Sequence, residues 1–433
     1  MANVRQLLML ELNEINFEYL ETYIARGHLP AFREFFSKHG YSRTTSETRY
    51  EQLEPWIQWV SAHTGMMLAE HGVFRLGDIV ERDLPQIWEI LEARGLKVGA
   101  VSPMNAKCRV RAPAFFIPDP WTATRVMAPA IFRRLYAAIA QAVADNSQGR
   151  LTAQSALDLA LGGVAAARPT NYARYSRLLA RARRRPWNRA LFLDLLLADL
   201  FTGLTRRTKP DFATLFLNAG AHIQHHYMFS SAAYDGPMRN PAWYVGAEHD
   251  PLLDVYTLYD TVIAQTLRAF PDARIMLATG LHQDPHPKLT YYWRLRDHSA
   301  FLTRIGVPFE RTEPRMSRDF FVRCRDAGQA CVAAERLEAA RFEDGARMFA
   351  VDRRDTDLFV ELAYPGEITP ASRVTVASEL FADVYAAVAF VAIKNGAHNG
   401  IGYFADSGAM KGVGPASMPL IDLNQRIEFA LAA

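Results

Sequence analysis

The feature that most constrains this chain is the alternation of short, unbroken apolar runs with amphipathic helical stretches. LLMLEL (Leu7 to Leu12), LKVGAVSP (Leu96 to Pro103), FATLFLN (Phe212 to Asn218), ARIMLAT (Ala273 to Thr279) and DLFVELAY (Asp357 to Tyr364) have strand length and little polar interruption. Consecutive apolar residues imply strands buried on both faces, as in a parallel sheet covered on each side by helices. Between them, NFEYLETYIARGHLPAFREFFSKHG carries apolar residues at helical spacing on either side of a break at Gly27 and Pro30. DLPQIWEILEARG ends in a glycine suited to a helix C-terminus, and YTLYDTVIAQTLRAF (Tyr256 to Phe270) leads directly into the run at Ala273. This order predicts an α/β fold, a mainly parallel sheet flanked by helices in three layers.

From about Ala112 to Lys209 the pattern changes to Ala-, Leu- and Arg-rich helix with few strand signals. We read 112–209 as an inserted helical cap and 1–111 with 210–433 as the α/β core. In open sheets of this kind ligands bind beyond the carboxyl ends of the strands. The loops after Leu12, Asn218 and Thr279 are therefore expected to converge on one site.

Composition removes several function classes. Cys108, Cys324 and Cys331 are the only cysteines, too few and too scattered for a disulfide framework or a Cys-rich zinc module, which fits a reducing, cytoplasmic setting. The apolar start carries Glu11 and Glu14 and lacks a cleavage signal, so it reads as a first strand. The segment ALFLDLLLADLFTGL is interrupted by Asp194 and Asp199, short of the roughly 20 clean residues of a membrane span. A net charge of +3 does not argue for a nucleic-acid polymer. RLLARARRRPWNR, Arg177 to Arg189, is the basic concentration; it reads as a solvated helix face or as a contact for an anionic substrate or lipid surface.

The order of motifs resembles the alkaline phosphatase superfamily, especially its nucleotide pyrophosphatase and phosphodiesterase branch, at both ends of the chain but not in the helical middle. LLMLELNEINFEYLETYIARGHLPAFREFFSKHG has the form of the family's first strand, helix and Gly-x-Leu-Pro segment, with Asn13 where the family has a metal-binding Asp and Glu11 close by. WVSAHTGMMLAEHGV (Trp59 to Val73) resembles the segment after the family's nucleophile loop, and counting back places Pro55 at the Thr or Ser nucleophile position. Proline has no hydroxyl. Glu54 is adjacent, and Thr44, Thr45, Ser46 and Thr48 lie upstream in a hydroxyl-rich loop that could reach the site only by a different path.

The family's Asp-x-x-x-His pair is best matched by His222 and His226, whose spacing puts both imidazoles on one helix face. His225 points away by roughly 100° on a helix and reads as a packing or supporting residue. These histidines could equally hydrogen-bond loop carbonyls or hold a substrate anion. The family's Ser-Asp-His-Gly turn falls on Thr279 and Gly280, with His282, Asp284 and His286 slightly later, and GAHNGIGYFADSGAMKG supplies His398 as the closing ligand. The resemblance thus implies a divalent metal, zinc first and one site rather than two, held by His222, His226 and His398, with His282, Asn13 and Glu11 as further ligands. Glu54 is expected as general base or ligand, and Thr48 as the alternative hydroxyl.

The implied activity is a metal-dependent phosphoesterase-like hydrolase or transferase acting on a small anionic ester: a nucleotide, sugar phosphate or lipid headgroup. A divergent member that only binds an anionic glycan, nucleotide or protein partner is the alternative. A lyase or isomerase is a third, weaker reading.

Overall fold

The computed structural model describes residues 6–144, 152–315 and 318–432. Its centre is an eight-stranded sheet in the order Ser417–Pro419, Ser42–Thr45, Ile401–Asp406, Arg274–Ala278, Leu7–Leu12, Phe212–Leu217, Val98–Val101 and Phe115–Ile117. Ile401–Asp406 is antiparallel to both neighbours, and every other neighbouring pair is parallel. Leu7–Leu12 is central and fully buried, which is why its sequence runs apolar rather than alternating.

The sheet's two faces carry separate cores, and the strand's two-residue period sorts side chains between them. Leu8, Leu10 and Leu12 pack under the helices Phe17–Ala25, Pro30–His39, Asn188–Thr208, Ala219–Tyr227 and Pro251–Ala269. Leu7 and Met9 face the other way, toward Pro55–Thr64, Ile87–Ala93 and Asp422–Ala432. Helices therefore lie on both faces of a mainly parallel sheet, the architecture expected.

The segment expected as a cap is helical over Ala130–Ala144, Ala153–Ala166, Tyr172–Arg181 and Asn188–Thr208, and residues 145–151 lie outside the described residues. It also supplies the sheet strand Phe115–Ile117, so the sheet extends into it. The basic run lies at the end of Tyr172–Arg181, with Arg177, Arg181, Arg183 and Arg184 exposed.

A second unit was not foreseen. Two long antiparallel strands, His282–Leu295 and Val388–Asn399, leave the sheet together. They carry a four-stranded antiparallel sheet with strands at Arg311–Pro314, Asp319–Arg323, Phe349–Arg354 and Asp357–Leu362, a small three-stranded sheet and the helices His298–Arg304 and Ala327–Glu338. A core of its own, including Trp293, Phe301, Phe320, Leu337, Phe349 and Val360, holds it together. The run at Asp357, read as a strand of the parallel sheet, belongs here. Its burial alternates, with Leu358, Val360 and Leu362 inward, as in a half-covered antiparallel sheet.

Candidate metal centre

Beyond the carboxyl end of Leu7–Leu12 the backbone turns out of the sheet at Glu14, a non-glycine residue at φ 61°. Such a conformation persists only where its surroundings over-determine it. Here the Glu14 N–H donates to the Thr279 carbonyl (3.0 Å) and the Glu14 carbonyl accepts from Gln224 Nε2 (2.5 Å). The carboxylate is equally constrained. Asn13 Nδ2 donates to Oε1 (3.1 Å), and Gln283 Nε2 donates to Oε2.

Glu14 Oε2 also faces two imidazoles, His225 Nε2 at 3.2 Å and His398 Nε2 at 3.1 Å, and these two nitrogens are 3.2 Å apart. His225 comes from the helix Ala219–Tyr227, whose first turn is fixed by Asp194 accepting from the Ala219 N–H (2.8 Å) and from Tyr259 (2.7 Å). His398 lies at the root of the second unit, paired across the ladder with Gln283. A Cβ at Gly396, two residues before it, would collide with the Gln283 carboxamide, so glycine there lets this side chain reach Glu14.

The cluster's electrostatics reinforce one another. Burial raises the Glu14 pKa, but the His398 and His225 charges and hydrogen bonds more than offset it and hold the carboxyl well below the usual carboxylate range. Burial pulls His398 down, while Glu14 and Glu54 outweigh it and leave it above the ordinary histidine value. Glu54 Oε2 lies 3.8 Å from His398 Nδ1, on the ring edge away from the cluster. Burial raises the Glu54 pKa, opposed by His398 and Lys394. Lys394, itself lowered by burial, feels Arg318, Glu54 and Glu361, and the Arg318 guanidinium sits 4.0 Å over the Tyr292 ring. Lys394 thus brings positive charge from the second unit to the Glu54 side of the site, while Arg318 is ion-paired with Glu361 at 2.7 Å.

Of the residues singled out from sequence, the structure brings His398 to this cluster and Glu54 beside it, and places the others elsewhere. On the helix Ala219–Tyr227 the imidazole facing Glu14 is His225. His222 instead faces a cavity under the helices Ala130–Ala144 and Asn188–Thr208, and His226 Nδ1 is 3.3 Å from the Ile393 carbonyl oxygen. The one-face argument for His222 and His226 is geometrically sound, but it is the intervening face that turns toward Glu14.

Glu11 has the strand parity of Leu7 and Met9, so it points to the opposite face and meets His63 Nε2 at 3.0 Å. Asn13 spends its amide on Glu14 and Asn218 and accepts from Trp59 Nε1 (2.8 Å), which makes it a brace for Glu14. His282 has both ring nitrogens engaged, Nδ1 with the Ile401 carbonyl (2.6 Å) and Nε2 with Asp284 (3.1 Å). Thr48 is exposed in the loop before the turn Tyr50–Gln52, and Pro55 is the first residue of a helix. Glu14 and His225 are the members of this cluster that the sequence reading did not place in the site. A carboxylate two residues beyond Leu12, the last apolar strand residue, was the available signal for the first.

Three donors within 3.1–3.2 Å of one another fit a metal. Bonds of about 2.0–2.1 Å in tetrahedral geometry place ligand atoms about 3.3 Å apart, close to each side of this triangle. A His₂-carboxylate set also leaves the fourth position open. Glu14, His225 and His398 are the one group of this kind among the described residues.

No protein-family model matches the chain, and no curated protein matches it in sequence. Among solved structures, phosphonoacetate hydrolase from Sinorhizobium meliloti 1021 in complex with phosphonoacetate aligns over 100% of this chain and 96% of its own, at 12% identity and a TM-score of 0.45. Murine ectonucleotide pyrophosphatase/phosphodiesterase 5 aligns over 99% and 95%, at 9% identity and a TM-score of 0.40. The human counterpart aligns over the same shares at 10% identity and a TM-score of 0.41.

Proposed function

We propose that this chain is a divergent member of the alkaline phosphatase superfamily and a metal-dependent enzyme acting on a phosphoryl or related anionic ester. One divalent cation, zinc by the chemistry of its donors, would be held by Glu14, His225 and His398. The observation that carries the reading is the convergence of these three donor atoms at 3.1–3.2 Å at the carboxyl end of the central strand. When bound there, the ion supplies Lewis acidity toward a substrate oxygen and toward water.

The chain's own residues do the rest. Asn13 and Gln283 fix the Glu14 carboxylate, and Glu54, 3.8 Å from His398 Nδ1, would orient that imidazole if it closes to hydrogen-bond distance when the ion binds. Lys394 would meet the substrate's charge from the second unit, while Arg318 near it is ion-paired with Glu361. Hydrolysis and group transfer both suit this arrangement.

The second reading, a member that binds an anionic ligand without turnover, is favoured by Pro55, which opens a helix where the resemblance puts a hydroxyl nucleophile. Metal analysis of the purified protein, with a screen of phosphate diesters, phosphate monoesters and sulfate esters, separates the two. We expect about one divalent ion per chain, lost in His225→Ala and His398→Ala, and turnover of one ester class that falls with it. An intact protein without bound metal at neutral pH would remove the enzyme reading; bound metal with no turnover would favour the second.

A further inference from the structure

A cavity of about 230 Å³ lies beside the metal centre, between the ends of the sheet strands and the cap. Its floor is built by residues following three neighbouring strands, among them Ser102, Pro118 and Asn218, and its roof by the helices Ala130–Ala144 and Asn188–Thr208. The roof is hydrocarbon and aromatic apart from Asp194, whose carboxylate accepts from the Ala219 N–H and the Tyr259 hydroxyl. Phe132, Ile139, Leu193 and Leu197 line it and stay only half-buried, although each belongs to a helix whose other side chains complete the core.

The polar atoms are gathered at one end. Asn218 accepts from Asn13 Nδ2 (2.8 Å), and Asn13 donates to Glu14 (3.1 Å), so one continuous hydrogen-bonded path joins the cavity wall to the metal-binding carboxylate. His222, also in the wall, stands one helical turn before His225. His222 is exposed, so the cavity opens to solvent at this end. The cavity is open on one side, so its half-buried apolar lining meets water when nothing fills it, and a hydrocarbon chain that covers the lining gains about 25 cal/mol for each Å² removed from water.

From this arrangement we infer that the cavity is the binding site for a hydrocarbon chain, the apolar part of an amphiphilic substrate whose anionic head sits at Glu14, His225 and His398. The inference rests on the proposed function for the head and on the cavity alone for the chain. It narrows the substrate class to alkyl or acyl compounds with an esterified phosphate or similar head. His222 and Asn218, at the junction, would face the first polar atoms of the substrate after the head.

The test is a calorimetric series on the full-length, metal-loaded protein with inorganic phosphate and with butyl, hexyl, octyl and decyl phosphate below their aggregation concentrations, plus octanol as a chain without a head. Each added methylene inside the cavity should tighten binding about three- to fourfold until the cavity is full, after which the series levels off. Leu197→Trp, and independently Ile139→Trp should the first variant unfold, fills the cavity and should flatten the series while leaving inorganic phosphate binding unchanged. His398→Ala should abolish phosphate binding and spare octanol. Octanol binding blocked by Leu197→Trp in a protein that holds neither metal nor phosphate would retain the chain site and overturn the reading of the head. A flat series in the native protein, or a chain-length dependence surviving both tryptophan variants, would overturn the chain site.

Discussion

Two buried carboxylates three residues apart, Glu11 and Glu14, each meet histidine, and they could hardly be used more differently. Glu11 is inside the sheet layer; its side chain and that of His63 are 0% and 1% exposed, and the Trp59 and Trp88 rings pack against the imidazole. Glu11 Oε2 and His63 Nδ1 have no partner among the described residues, so this pair is sealed without being fully satisfied. Glu14 is 2% exposed, but its partners His225 and His398 are 29% and 12% exposed, and both its oxygens are engaged. A sealed pair offers no open position to a further ligand. An open set of three donors can accept a fourth ligand.

The comparison breaks most sharply on metal content. Glu14→Ala or His398→Ala should drop the bound ion from about one per chain to near zero, and ester turnover by about 10³-fold or more, since such an ion contributes several kcal/mol to the transition state. Glu11→Ala should keep its metal in the fraction that folds. Elemental analysis of the three purified variants decides it, and loss of metal in folded Glu11→Ala would mean that both carboxylates serve one centre.

On stability the order should reverse. His63→Ala leaves the Glu11 carboxylate in an apolar surround with no counterpart, a change of about 3–5 kcal/mol if the pair is ionic. His225→Ala, at a site water already reaches, should cost about 1 kcal/mol or less in metal-free protein. Urea titrations of both variants with chelator present give the two numbers, and equal losses would show that the two carboxylates are alike in their contribution to stability.

The same two residues show what could be read in advance. The apolar runs located five strands, four of them in the main sheet, because burial on both faces leaves a signal that needs no partner. Alternation within LLMLEL already assigns Glu11 to the face of Leu7 and Met9, yet its proximity to the strand end drew it into the expected site. His225 was hidden for a different reason: spacing tells which side chains share a helix face, not which face turns toward the ligand. That orientation comes from tertiary contacts, the Asp194 carboxylate at the helix start and the close packing around Gly220, where a Cβ would strike Ile15. The second unit was missed although DLFVEL alternates inward and outward, which distinguishes it from the unbroken runs of the parallel sheet.

A smaller effect sharpens the open site. Glu54→Gln keeps the size of the side chain and removes the charge 3.8 Å from His398 Nδ1. Supporting carboxylates typically contribute about 10–100-fold in metal affinity, and the variant should lose about that much. Competition with a chromophoric chelator measures it, and unchanged affinity together with a lost alkaline or acidic limb of the activity profile would move Glu54 from orienting His398 to proton transfer.

The smallest effect is on pH dependence, and its sign follows from the two shifts. Glu14 is depressed below its ordinary value of 4.5, so its contribution to metal-free stability is present above that pH and lost only as pH falls through its lower folded value. His398 is raised above 6.5, so its contribution is fully present below 6.5 and lost as pH rises through its higher folded value. The metal-free protein should therefore gain most from this cluster between about pH 4.5 and 6.5 and lose that gain above. Metal binding has the opposite slope, because the ion must displace the proton on His398. The difference in Tm between metal-loaded and metal-free protein should widen steadily from pH 5.5 to 8. In His398→Ala that widening should vanish, while the Glu11 and His63 pair, present in both proteins, cancels from the difference. A metal-dependent gap that stays constant over this range would show that the proton and the ion do not compete for His398, and with it that His398 is not a ligand.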